Sequence, residues 1–155
     1  MFFLYCFFGW CFESTVVSVS QKKLVNRGFV KGPFLPIYGS GAILIVLTTL
    51  KVETMPVLVF VVGMSTATIL EYCTGAIMEF LFKVRYWDYS HKRFNIKGYI
   101  CLSSSITWGV MSLLVVYFVH PKIEEITSWF QPDLLHFLTL VFLVVFVADF
   151  ATSFR

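Results

Sequence analysis

A chain of 155 residues that is 58% hydrophobic and 19% aromatic but only 14% charged, with a mean hydropathy of +0.82, carries more apolar surface than a soluble core of that size can bury. Its solvent must be lipid, which sets aside soluble enzymes and nucleic-acid binders, and the net charge of +3 has meaning only through where the charges fall. No linker or low-complexity tract interrupts the chain, so it reads as one integral membrane domain over residues 1–155.

Hydropathy predicts five membrane-spanning helices, at about residues 1–20, 34–50, 57–82, 99–119 and 134–154. The first reads as a span rather than a signal peptide, because it lacks a basic start, holds Glu13 within its apolar run and is followed by Lys22 and Lys23. A basic loop, 21–31, leads to the second and shortest span. There Pro33 and Pro36 suit entry into a helix, Gly39 and Gly41 suit close packing, and a partly re-entrant start is compatible with the pattern. After the third span comes the longest polar stretch, 83–98, whose Tyr86, Trp87 and Tyr89 favour the headgroup layer. The fourth span opens on a run of hydroxyls, Ser103, Ser104, Ser105 and Thr107, which could line a cavity but more commonly bond back to their own helix. A loop over 120–133 precedes the fifth span.

Ten of the twelve Lys and Arg residues fall in the loops after spans one and three or at Arg155, against two elsewhere, Lys51 and Lys122. The predicted fold is therefore an all-α bundle of five transmembrane helices with the N-terminus outside and the C-terminus inside. A shift of 66 residues superposes Gly9 on Gly75, Glu13 on Glu79, Arg27 on Arg93, Lys31 on Lys97 and Gly32 on Gly98, five identities in 24 positions. Spans one and two are thereby related to spans three and four as candidate parallel repeats.

Within the third span every fourth residue is small or acidic: Gly63, Ala67, Glu71, Gly75 and Glu79. Such a stripe predicts a face turned toward other helices. Glu71 lies eleven residues before Phe82, roughly 16 Å along the helix from that end. A charge at such a position needs a partner, a proton, a cation or a ligand. Glu13 and Glu79 sit near the ends of their spans and either pair with Arg27 and Arg93 or share a cavity with Glu71; Asp149 near its own span end is hydrated there. Arg27 and Arg93 serve as topology signals or as an anion site. Asp88 caps the backbone after it or contacts a ligand, and Asn26 and Asn95 satisfy loop backbone or read a ligand.

No G-x-x-x-x-G-K-[ST], H-E-x-x-H or G-x-S-x-G sequence occurs. Any ATP hydrolysis would need a separate subunit, and no cofactor or metal is expected. Cys6, Cys11, Cys73 and Cys101 form no C-x-x-C pair and read as small buried apolar residues.

Gly9-Trp10 with Glu13, Asn26-Arg27-Gly28-Phe29, Gly32-Pro33-Phe34 with Pro36-Ile37-Tyr38-Gly39, Glu71-Tyr72, Glu79, Trp87-Asp88-Tyr89-Ser90, Phe94-Asn95-Ile96 with Gly98, and Trp108-Gly109 resemble the bacterial integral membrane family named ABC-transporter type IV permease, or CmpB-like. The resemblance covers residues 8 to about 121. It implies a bacterial cytoplasmic-membrane protein whose polar blocks are its working parts, and it adds Tyr38 to the candidate binding residues Glu13, Glu71, Glu79, Asn26, Arg27, Asp88, Arg93 and Asn95. The leading expectation is a small permease-like transporter of unknown substrate, with an acid-lined polar cavity open to the cytoplasm. Its expected partners are membrane lipids including anionic headgroups, further copies of itself and a separate ATPase subunit. Two alternatives stay open: a membrane enzyme acting on a lipid-linked phosphate, with Glu71 or Glu79 as acid or base, and a non-catalytic regulator that docks partners through 83–98.

Overall fold

The structure, a computed structural model, describes residues 1–26 and 32–153. Its helices are α1 (Phe2–Gln21), α2 (Pro36–Thr49), α3 (Pro56–Phe82), α4 (Leu102–Leu114), α5 (His120–Ser128) and α6 (Pro132–Ser153), and two short strands, β1 (Asn95–Ile96) and β2 (Ile100–Cys101), pair antiparallel. Among the described residues, four segments are long and apolar enough to cross a membrane: Phe2–Gln21, Pro56–Phe82, Leu102–Ser128 and Pro132–Thr152. The second expected span, α2, has only 14 residues. At about 1.5 Å per residue it rises roughly 21 Å, short of the roughly 30 Å hydrocarbon core.

The segment predicted as a loop over 120–133 is mostly helix, because α4 runs through a π-helical segment, Val115–Val119, directly into α5. The reason is Pro121. Inside an α-helix its ring would crowd the carbonyl of Tyr117, and the wider π turn, in which the His120 amide donates to the Val115 carbonyl, makes room without ending the helix.

The chain forms two compact units, residues 1–40 with 122–155 and residues 41–121. In the first, Cys6 and Phe34 form a buried nucleus packed by Phe2, Phe3 and Phe146. Phe3 meets Phe34, Phe142 and Phe146 at ring distances of 5.7–6.2 Å. Gly9 lies so close to Tyr38, and Gly39 to Cys6 and Phe2, that a methyl group at either would collide. The Leu35 amide donates to the Cys6 carbonyl at 3.2 Å, 15 residues before α1 ends at Gln21, or about 22 Å along its axis. The chain therefore returns deep along α1 before α2 starts, which is why α2 is short.

In the second unit α3 and α4 are antiparallel neighbours. Their register is marked by Gly63 against Ser112, Gly109 against Phe60, the Tyr117 hydroxyl donating to the Glu53 carbonyl at 2.6 Å, and Ser104 against Glu71. Val59, Gly63, Ala67 and Glu71 are the buried residues of α3, so the stripe read every four residues faces protein from Gly63 to Glu71, while Gly75 and Glu79 are half-buried. Ile45 of α2 is buried against the same face near Gly63. Glu71 touches the first turn of α4, so the last three turns of α3 run past the start of its neighbour. The connection of residues 83–101 fills that step.

Candidate functional site

Glu71 is 5% exposed. Its Oε1 accepts from the Tyr89 hydroxyl at 3.2 Å and its Oε2 from the Ser104 hydroxyl at 3.0 Å. The sequence builds this locally. Cys101 is the N-cap of α4, with its sulfur accepting from the Ser104 amide at 3.4 Å, while the Ser104 hydroxyl lies 3.3 Å from the Cys101 amide in a reciprocal capping box. That arrangement places Glu71 beside the N-terminal turn of α4, whose aligned peptide dipoles favour negative charge. A buried carboxylate is thus accommodated by hydroxyls and a helix terminus drawn from two other segments. Ser104, in the run of hydroxyls, supplies one; Thr107 instead bonds back to the Ser103 carbonyl at 2.9 Å.

Glu79, two turns on, is clasped by Arg85: Nε donates to Oε2 at 2.9 Å and Nη2 to Oε1 at 3.2 Å. The αL turn at Lys83, with φ of 56°, reverses the chain and brings Arg85 back over the helix end. Of the two readings the sequence left open for Glu79, one paired it with Arg93; the arginine on Glu79 is Arg85, because the reversal comes immediately after α3. The Arg85 guanidinium also lies 3.4 Å from Asp88 Oδ1 and 5.2 Å from the Tyr99 ring centre. Its pKa is raised, first by the hydrogen bond to Glu79, and the Tyr99 phenol is likewise raised by its hydrogen bond to Glu79.

The loop satisfies its own backbone. Asp88 Oδ1 accepts from the Ser90 amide at 2.9 Å and from the Ser90 hydroxyl. Asn95 Nδ2 donates to the carbonyls of Ser90 at 3.2 Å and Lys92 at 2.8 Å, and its Oδ1 accepts from the Gly98 amide at 3.2 Å. Gly98 has φ of +74°, and a Cβ there would lie 2.6 Å from both Asp88 Oδ1 and Ser90 Oγ and 2.9 Å from Arg85 Nη1, so only glycine closes this turn. Trp87 ties the start of the connection to its end by donating from its indole to the Tyr99 carbonyl at 2.8 Å. Asp88 and Asn95 therefore act on the loop itself.

The Asp88 carboxyl is held below its usual 3.8, first by the Ser90 hydroxyl and then by the Ser90 amide. A depressed folded-state pKa stabilises the loop above the ordinary carboxylate range and loses that contribution as pH falls through the depressed value. Protection of the Ser90 amide, its exchange rate relative to the intrinsic rate at each pH, is expected to persist through the ordinary carboxylate range and to fall only as pH drops below 3.8. Asp88→Ala removes that step and speeds exchange at Ser90 at neutral pH, because the amide loses its acceptor.

In the first unit Glu13 accepts from the Tyr38 hydroxyl at 2.5 Å, Asn26 accepts from the Trp10 indole at 2.6 Å, and Asp149 accepts from the Gly32 amide at 2.7 Å. Arg27 lies outside the described residues, and Arg93 is an exposed loop residue. The structure thus gathers Glu71, Glu79, Asp88 and Asn95 around the 83–101 connection and places Glu13, Tyr38 and Asn26 in the other unit. Sequence reasoning missed Arg85, Ser104 and Tyr99 as partners. The available signals were the glycine at 98, which demanded close approach, and the hydroxyl run opening α4.

A largely helical chain with four membrane-length apolar helices and acids tied to the segments beside them defines a multi-pass integral membrane protein. The family described as "Putative ABC-transporter type IV" matches residues 1–154, and the chain belongs to that family, an ABC-transporter-related group of membrane proteins. Comparison with curated proteins and with solved structures returned no match.

Proposed function

We propose that the chain is a permease-like subunit of a bacterial transport system, and that Glu71 is the group through which it responds to a proton, a cation or a solute. The observation that carries this reading is a carboxylate buried in a membrane-crossing helix and held by hydroxyls from two different segments, Tyr89 of the loop and Ser104 of α4. Intramembrane acids with such partners are characteristic of relays and ion sites. Protonating Glu71, or replacing one hydroxyl by a bound group, changes which segments are tied to α3.

The subunit lies in the cytoplasmic membrane with its N-terminus outside and its two basic loops inside. It crosses five times, α2 and the segment leading into it together making one crossing. ATP hydrolysis, where it drives transport, comes from a separate subunit, and five short helices call for further copies of the chain. Helices α1 with α2 and α3 with α4 form parallel repeats. Supporting this, Gly9 and Gly75 each meet a tyrosine ring that also interacts with the glutamate four residues on, although the two tyrosines, Tyr38 and Tyr99, are not equivalent under the shift, which puts Tyr38 on Ser104. The second helix of each pair also starts level with the interior of the first, at Cys6 and at Glu71. Under the 66-residue shift Cys6 falls on Tyr72, next to Glu71.

Proteoliposomes challenged with ion, amino-acid, sugar and phosphate gradients test the reading. The wild-type chain, with its ATPase subunit where one co-purifies, is expected to carry at least one solute, and Glu71→Gln to slow that flux by about a hundredfold or more while inserting normally, the range of an essential acid–base group. Turnover of a phospholipid with no flux in either form would replace the transporter by a membrane enzyme.

A further inference from the structure

We propose that the tip of the 83–101 connection, residues 92–97, binds the headgroup of an anionic phospholipid, with Phe94 and Ile96 set into the boundary between headgroups and acyl chains. This does not depend on the role of Glu71. The tip is closed by one side chain: Asn95 spans from the Lys92 carbonyl to the Gly98 amide, and the pairing of Ile96 with Ile100 fixes its far edge. What this built turn displays is apolar and basic. Phe94 is 78% and Ile96 54% exposed, flanked by Lys92, Arg93 and Lys97, all exposed.

The backbone there is strained. Phe94 and Lys97 have φ of 54° and 53°, two of the four non-glycine residues in the left-handed region among the described residues. An aromatic residue rarely adopts that region, and among the described residues none covers this ring in return. Strain kept at an exposed position points to an outside contact.

Charge complementarity names the contact. No Asp or Glu occurs from residue 89 to residue 123, and among the described residues no acid pairs with Lys92, Arg93 or Lys97. The tip also projects from a connection between two membrane-crossing helices, α3 and α4–α5, with Tyr86 and Trp87 beside it. Basic residues alternating with large apolar ones, next to a bilayer, match a surface of phosphates over hydrocarbon.

The full chain, purified in an uncharged detergent, is titrated with dioleoyl phosphatidylglycerol, with dioleoyl phosphatidylcholine and with inorganic phosphate, and bound lipid is counted by native mass spectrometry. Phosphatidylglycerol is expected to bind at least about tenfold more tightly than phosphatidylcholine, and inorganic phosphate not to compete. Lys92→Gln with Arg93→Gln and Lys97→Gln is expected to weaken phosphatidylglycerol about tenfold to a hundredfold, and raised salt to weaken the wild type toward that level. Phe94→Gly suits a φ of 54°, so it should fold with unchanged or higher melting temperature and still lose about tenfold in phosphatidylglycerol affinity. Equal binding of the two lipids, or unchanged affinity in both variants, overturns the proposal. So does inorganic phosphate competing as well as the lipid, which marks a free-phosphate site. Loss of a protein partner by variants that still bind phosphatidylglycerol normally overturns it in favour of a protein-docking surface.

Discussion

Glu71→Ala is expected to lower the melting temperature of the detergent-solubilised protein by roughly 6–12 °C, and Glu71→Gln by much less. The alanine removes a carboxylate that is 5% exposed and leaves the hydroxyls of Tyr89 and Ser104 facing a void, a loss of about 3 kcal/mol at about 2–4 °C per kcal/mol for a chain of this size. Glutamine keeps the shape and one acceptor oxygen, and both hydroxyls can rotate to accept from its amide. The second readout is the loop. Amide exchange at Tyr89, whose N–H donates to the Gly98 carbonyl at 2.9 Å, should quicken in Glu71→Ala, because Tyr89 loses its anchor on α3. Equal melting temperatures for the three proteins would show that Glu71 is hydrated rather than held, and would remove the basis for giving it a role.

Gly63→Ala is the second large effect, and it tests the register of α3 on α4. A Cβ at Gly63 would overlap both Oγ and Cβ of Ser112, and Ser112 is fully buried, with its hydroxyl donating to the Trp108 carbonyl at 2.7 Å. It has nowhere to go, so the helices must part and the Glu71 contact with Ser104, farther along the same pair, is strained too. The expected cost is about 2–3 kcal/mol, the upper part of the range for overpacking. Ser112→Gly in the Gly63→Ala background opens the space and should recover about half of it, giving a coupling of more than about 1 kcal/mol in the double-mutant cycle. Additive losses would mean that the two residues are not opposed across this interface.

Much of this architecture follows from sequence alone, for reasons that are local. Lipid-soluble segments announce themselves by composition, and α1, α3, α4 and α6 appear close to where hydropathy puts them. The four-residue spacing of Gly63, Ala67 and Glu71 sufficed to identify the buried face of α3, because the period of a helix is fixed by its backbone. The same local reasoning misjudged 120–133. A proline after a long apolar run reads as a break, whereas the π turn before Pro121 lets the helix absorb it.

The partners of the acids were decided by tertiary structure. Hydropathy puts Glu71 about 16 Å inside the end of its helix and says nothing of Tyr89 and Ser104, which lie 18 and 33 residues away in the chain. They meet it because α3 overshoots the start of α4, and the connection folds back to cover the exposed step. Arg85 takes Glu79 because the left-handed turn at Lys83 aims the chain at the helix end, a direction that no spacing of charges encodes. The sequence determined the solvent, the four membrane-length helices and the buried stretch of the stripe, since each depends on side chains within a few turns of one another. Which groups neutralise a buried carboxylate depends on where helices end relative to their neighbours, and only the packed chain defines that.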